Sequence, residues 1–146
     1  MAPSISGIHH VTFVVSNLND GIVWFERTLG ARHVRRLDHH NGAGVLFGVV
    51  LELDGFPGML ELLIETDSCA VPVGYDPITF EVANDESLAA WWEHLDSVGE
   101  SPSPIKRRRT GRSIEVVTPD GIVVRFFTAP PDGFDKVPFQ EEHVDL

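Results

Sequence analysis

The chain holds one cysteine, Cys69, in 146 residues. No internal disulfide can therefore staple the fold, and a reducing compartment suits it. Without a histidine or base beside it in sequence, Cys69 is read as a loop thiol rather than a nucleophile. No apolar run approaches the roughly 18 residues a membrane span needs. The opening MAPSISGIHH also lacks the basic-then-apolar order of a secretory signal. A cytoplasmic protein with no membrane partner is expected. Basic residues are scarce: 11 Lys and Arg stand against 22 Asp and Glu, for a formal charge of −11. Phosphate backbones repel such a chain, so no nucleic-acid partner is expected. The one local exception is KRRRTGR, residues 106–112, read as a solvated hairpin flank that could alternatively hold an anionic ligand.

What the sequence does have is a repeat. PITFEVAN at 77–84 nearly restates HVTFVVSN at 10–17, with Thr12, Phe13, Val15 and Asn17 returning as Thr79, Phe80, Val82 and Asn84. A period of this length exceeds a solenoid unit and points to two copies of a small module. In the first copy IHHVTFVV alternates like a half-buried strand, placing Val11, Phe13 and Val15 on one side and His10, Thr12 and Val14 on the other. A helix should follow from an N-cap at Asn19, with Ile22, Phe25 and Leu29 at helical spacing and Gly30 ending it in a left-handed conformation. Three strands are expected next: ARHVRRLD, VLFGVVLEL and MLELLIE.

The second copy repeats the order. ITFEVA is its first strand, and Asp85 is expected to cap a helix carrying Leu88, Trp91 or Trp92, Leu95 and Val98 up to Gly99. PSPIKRR, RSIEVVT and IVVRFFT are its remaining strands. The expected fold is α+β: a single domain spanning 1–146, built of βαβββ modules at 7–65 and 77–128 with an irregular tail at 129–146. A module of this size is too small to fold well alone, so the two should pair into a curved mixed sheet, helices outside, around a ligand cup. The cup would be lined by His10, Thr12, Glu61, Thr79, Glu81 and Arg125, with Phe127 available to an apolar or aromatic ligand. Glu61 stands inside the apolar run MLELLI, so its burial needs a partner, and Arg125 is the natural one. In DHHNG, residues 38–42, a turn-forming glycine favours a solvated hairpin for Asp38, His39 and His40.

The opening HHVTFVVSNLNDGIVWFERTLGA, the strand MLELLIE and the closing TPDGIVVRFF together resemble the vicinal-oxygen-chelate superfamily. It groups glyoxalase I, bleomycin and fosfomycin resistance proteins, methylmalonyl-CoA epimerase and extradiol dioxygenases, and the resemblance runs over about residues 7 to 128. Metal-using members take ligands from the first and last strand of each module, binding Mn, Fe, Ni or Zn so that a substrate chelates the ion. Here those positions read His10, Glu61, Pro77 and Arg125. Proline has no donor side chain and guanidinium cannot coordinate, so the resemblance leaves only His10 and Glu61 as metal ligands.

The resemblance thus implies a small-molecule-binding protein, forming a homodimer as its relatives commonly do, without the usual four-ligand metal. It would either sequester its ligand or catalyse an isomerase or lyase step, with Glu61 as base and Arg125 stabilising an oxyanion or binding a carboxylate. One alternative is a metal-dependent lyase or dioxygenase using His10, Glu61 and a further ligand. Another is a non-catalytic structural or regulatory dimer.

Overall fold

The computed structural model describes residues 1–138; the expected tail continues beyond them. The two modules appear as two separate sheets. In the first, β1 (His10–Val15) pairs in parallel with β5 (Met59–Ile64), which pairs antiparallel with β4 (Leu46–Glu52). The short strands β2 (Arg32–His33) and β3 (His39–His40) both pair antiparallel with β4. The second sheet runs β6 (Ile78–Val82), β9 (Val123–Thr128), β8 (Arg112–Val117) and β7 (Lys106–Arg107), with β6 and β9 parallel. Helix α1 (Leu18–Leu29) follows β1, and α2 (Asp85–Ser97) follows β6.

The repeated asparagines cap both helices. Asn17 Oδ1 accepts from the Asp20 backbone N–H at 2.9 Å and Asn84 Oδ1 accepts from that of Ser87 at 2.9 Å. Each satisfies one of the orphan donors of a first turn. The helices therefore begin at the end of the repeated octapeptide, upstream of the expected caps at Asn19 and Asp85. Gly30 closes α1 with φ 72°, as its position predicts.

Two expected strands shorten for local reasons. ARHVRRLD breaks after His33 into a 3-10 helix, Arg35–Leu37, and His33 Nε2 lies 2.6 Å from Asp38 Oδ1 across that turn. PSPIKRR pairs as a strand only at Lys106–Arg107, because Pro102 and Pro104 have no N–H to offer a ladder. Ser103 between them still pairs, donating its N–H to Glu115 O and accepting the Glu115 N–H on Oγ.

Alternation along the strands places the core. Phe13, Val15, Leu60 and Leu62 on the first sheet and Ile114, Val116, Val124 and Phe126 on the second are all at most 3% exposed. With Trp24, Phe25, Leu29, Leu88 and Leu95 from the helices they form one contiguous cluster. Trp91 stacks on Phe126 with ring centroids 4.6 Å apart, and Trp92 donates its indole N–H to Ser103 O. Turns lock the modules to one another. Asp120 accepts from Ser16 Oγ at the end of β1, and Phe56 meets Phe80 of β6 edge-on at 6.0 Å. Both modules thus turn their helix-covered faces into a common interior. The opposite faces look away from it, and among the described residues β1 and β6 are edge strands with no strand on their outer side. No helix among the described residues is long and apolar enough to cross a membrane.

Because the core is shared, the modules should unfold together. Leu62→Ala should cost about 2–5 kcal/mol and move one transition, detected identically by tryptophan fluorescence and far-UV circular dichroism. Two separable transitions would show that the modules are independent.

Candidate functional site

Strand register assembles two polar clusters, one on the outward face of each sheet. On the first, Thr12 of β1 lies directly beside Glu61 of β5, so both project to the side opposite Phe13 and Leu62. Thr12 Oγ1 donates to Glu61 Oε1 at 2.9 Å. His39 Nε2 lies 3.0 Å from Glu61 Oε2, where an N–H donates to the carboxylate, and His10 Nε2 lies 3.7 Å from Oε1. His10 Nδ1 in turn stands 2.9 Å from His9 Nδ1. The Glu61 side chain is only 15% exposed, against 43% for His10 and 34% for His39. A carboxylate that far from water is tolerable because each oxygen has a donor.

His39 reaches Glu61 because nothing stands beneath it. Gly48 is its cross-strand partner. A Cβ there would come within 2.8 Å of His39 Cδ2 and 2.6 Å of Leu63 Cδ2. The glycine is thus demanded by close approach of side chains from both neighbouring strands.

On the second sheet Arg125 of β9 lies between Thr79 of β6 and Glu115 of β8. It occupies the position that Glu61 holds in the first module, each residue flanked by the repeat's threonine. Arg125 donates from Nε and NH2 to Glu115 Oε1, at 3.2 and 2.9 Å, and its NH2 also lies 2.8 Å from Asp76 Oδ2. Glu115, one strand over, is the partner the guanidinium selects in preference to Glu61. The expected pairing of Glu61 with Arg125 is therefore replaced within the chain by two local arrangements, one per sheet. Each of the two residues finds its partners on or beside its own sheet. Beside Arg125, Thr79, Glu81 and Phe127 line a hollow of about 360 Å³ together with Thr110 and Phe134.

The structure thus places Thr12, Glu61 and His10 in one cluster and Thr79, Glu81, Arg125 and Phe127 on the other sheet. Asp76, Glu115 and Phe134 are members that sequence reasoning passed over, and His39, expected in a solvated hairpin, instead bonds to Glu61. Glu115 was legible by parity, because it alternates with buried Ile114 and Val116. His39 was not: its role depends on a register shift between His39 and His40 and on the glycine opposite.

A four-ligand metal centre does not fit these residues. Pro77 offers no donor, and the guanidinium at Arg125 is committed to two carboxylates. Among the described residues no group of three or more His, Cys, Asp or Glu side chains stands so that it could hold an ion. His10 and Glu61 remain as two donors of metal-binding type, with His39 hydrogen-bonded to the carboxylate beside them.

Gly48→Ala should push His39 off Glu61 and cost about 1–3 kcal/mol. Histidine-selective nitrogen NMR would register the loss of the His39–Glu61 hydrogen bond. A variant with unchanged stability and unchanged His39 signals would contradict this packing.

The family model of the glyoxalase/bleomycin resistance protein/dioxygenase superfamily matches residues 7–126. Solved structures agree in fold at low identity. TnmS3, an antibiotic binding protein from Streptomyces sp. CB03234, has a TM-score of 0.71 at 17% identity, covering 87% of this chain and 98% of its own. A lactoylglutathione lyase from Agrobacterium tumefaciens scores 0.69 at 15% identity, covering 90% and 100%. The fosfomycin resistance protein FosX from Listeria monocytogenes scores 0.67 at 21% identity, covering 88% and 98%. No curated protein matches the chain in sequence. With two βαβββ-type modules and a family match across most of its length, the chain belongs to the glyoxalase/bleomycin resistance protein/dioxygenase superfamily.

Proposed function

We propose that this protein binds a small organic molecule and sequesters it rather than transforming it. The observation that carries the reading is that both candidate catalytic groups are already satisfied. Glu61 has a donor on each oxygen, from Thr12 and His39, so both oxygens are already engaged within the protein. Arg125 is neutralised by Glu115 and Asp76, which leaves little of its charge for a developing oxyanion. What the second face still offers is a hollow with an aromatic floor, Phe127 and Phe134, and polar groups at Thr79 and Glu81. Concave apolar surface with a few placed polar groups is the general character of a ligand site. The structural similarity to an antibiotic binding protein supports the same choice.

The two faces make a cup only if two copies meet. Within one chain the outward faces look apart, so the wall carrying His10, Thr12 and Glu61 must meet the wall carrying Thr79, Arg125 and Phe127 of a second copy. The outer edges of β1 and β6, unpaired among the described residues, suit such a homodimer, because unpaired strand edges seek a partner. The ligand would then lie between the imidazole–carboxylate wall and the aromatic wall, in the cytoplasm, with no nucleic acid or membrane involved.

A thermal-shift screen of aromatic antibiotics and related small molecules should return stabilising ligands. Phe127→Ala should weaken the best of them at least tenfold, about 1.4 kcal/mol, and Arg125→Ala should abolish binding by leaving Glu115 and Asp76 unpaired. Proton NMR should recover the ligand unchanged after prolonged incubation. Turnover of the ligand, slowed by Glu61→Gln, would instead establish the isomerase or lyase reading.

A further inference from the structure

Resting on that small-molecule reading, we infer that the ligand carries an anionic group, a phosphate or carboxylate, seated on the 106–112 hairpin while its apolar body lies on Phe127. The aromatic hollow does not end at sheet 2. It meets a second groove of about 440 Å³ at Thr110 and Thr128, which line both. The charged side chains lining that groove are Arg107, Arg108, Arg112 and Asp85. Three guanidinium groups against one carboxylate leave a local charge of +2.

That excess stands in a chain of opposite sign. The hairpin holds Lys106, Arg107, Arg108, Arg109 and Arg112, five of the 11 basic residues, so the rest of the chain has 6 basic residues against 22 acidic ones. With so many carboxylates available, an arginine cluster serving only stability would be expected to engage them closely, as Arg125 does at 2.8 and 2.9 Å. These engage them only at long range or not at all. The Arg107 side chain makes no hydrogen bond or ion pair among the described residues; only its backbone is paired, opposite Arg112. Arg112 Nε stands 3.8 Å from Asp85 Oδ2, beyond hydrogen-bond distance. Arg108 donates its Nε to Ser113 Oγ at 2.9 Å, and its NH2 reaches Glu115 only at 3.5 Å. Gathered like charges with only distant carboxylates repel, and a bidentate anion relieves that repulsion while using donors left idle. The −11 net charge opposes an extended polyanion, but a single phosphate or carboxylate on a small apolar body meets only the local field. Arg109 is a built-in control: it donates to the Pro138 carbonyl and does not line this groove.

Calorimetric titration at low salt with 1-naphthyl phosphate, 1-naphthoate and neutral 1-naphthol separates the terms, because the three share one ring system. Both anions should bind at least tenfold more tightly than naphthol, and the tighter of them identifies which anion the groove prefers. Added sodium chloride should erode the advantage, and Arg107→Ser/Arg112→Ser should remove it. Arg109→Ser should leave it intact, and Phe127→Ala should weaken all three ligands together. Equal affinity for naphthol and the anions would overturn the inference while leaving the small-molecule reading in place. So would an advantage that survives the double variant. Failure of all three probes to bind would also overturn it, and the thermal-shift screen would then decide separately whether the cup holds a ligand at all. Both arginines are exposed, so the double variant should keep the wild-type melting temperature.

Discussion

A single shared core governs everything else in this molecule. Each module alternates apolar and polar residues along its strands, and each has one helix to cover its apolar face. Because both covered faces close on the same cluster, the polar face of each sheet is forced outward. The chemistry of the protein is therefore divided between two surfaces. Glu61 must find its partners on its own sheet, and it finds Thr12 and His39; Arg125 must do the same, and it finds Glu115 and Asp76. The charge that the first module places at one position of the repeat is reversed in the second, yet the opposed charges do not neutralise one another within the chain.

This arrangement gives duplication a physical meaning. Thr12 and Thr79, Phe13 and Phe80, Val15 and Val82 hold equivalent strand positions in each half, and Asn17 and Asn84 end both repeats as helix caps. Inward positions change only among apolar residues, Val11 to Ile78 and Leu62 to Phe126, whereas the outward positions change in chemical character. His10 gives way to Pro77, and Glu61 to Arg125, at sites where a side chain faces away from the core and changing it leaves packing intact. Folding constraints thus hold the inward residues alike while the outward ones are free to specialise, one wall rich in imidazole and carboxylate, the other in aromatic rings and arginine.

Much of this was legible beforehand. Period-2 alternation located β1, β5, β6 and β9 to within two residues, and the repeat together with the family resemblance anticipated the module order. Errors arose where local signals compete. Asn19 and Asp85 looked like caps because they are capping residue types, but the residues ending the repeat were better placed to receive the first-turn N–H groups. ARHVRRLD reads as a strand in composition, yet the His33–Asp38 contact and a 3-10 turn interrupt it. Side-chain partnership was the least readable level. Whether Glu61 meets Arg125 or His39 depends on which faces of two sheets look at one another, and no pattern within either strand carries that information.

Two copies must meet to bring the walls together. Light-scattering mass across a dilution series into the low micromolar range tests it most directly. A mass twice the 16.1 kDa of the chain, persisting on dilution, is the predicted result. A mass of one chain at every concentration would leave the two walls facing solvent on separate sides and would contradict the shared cup.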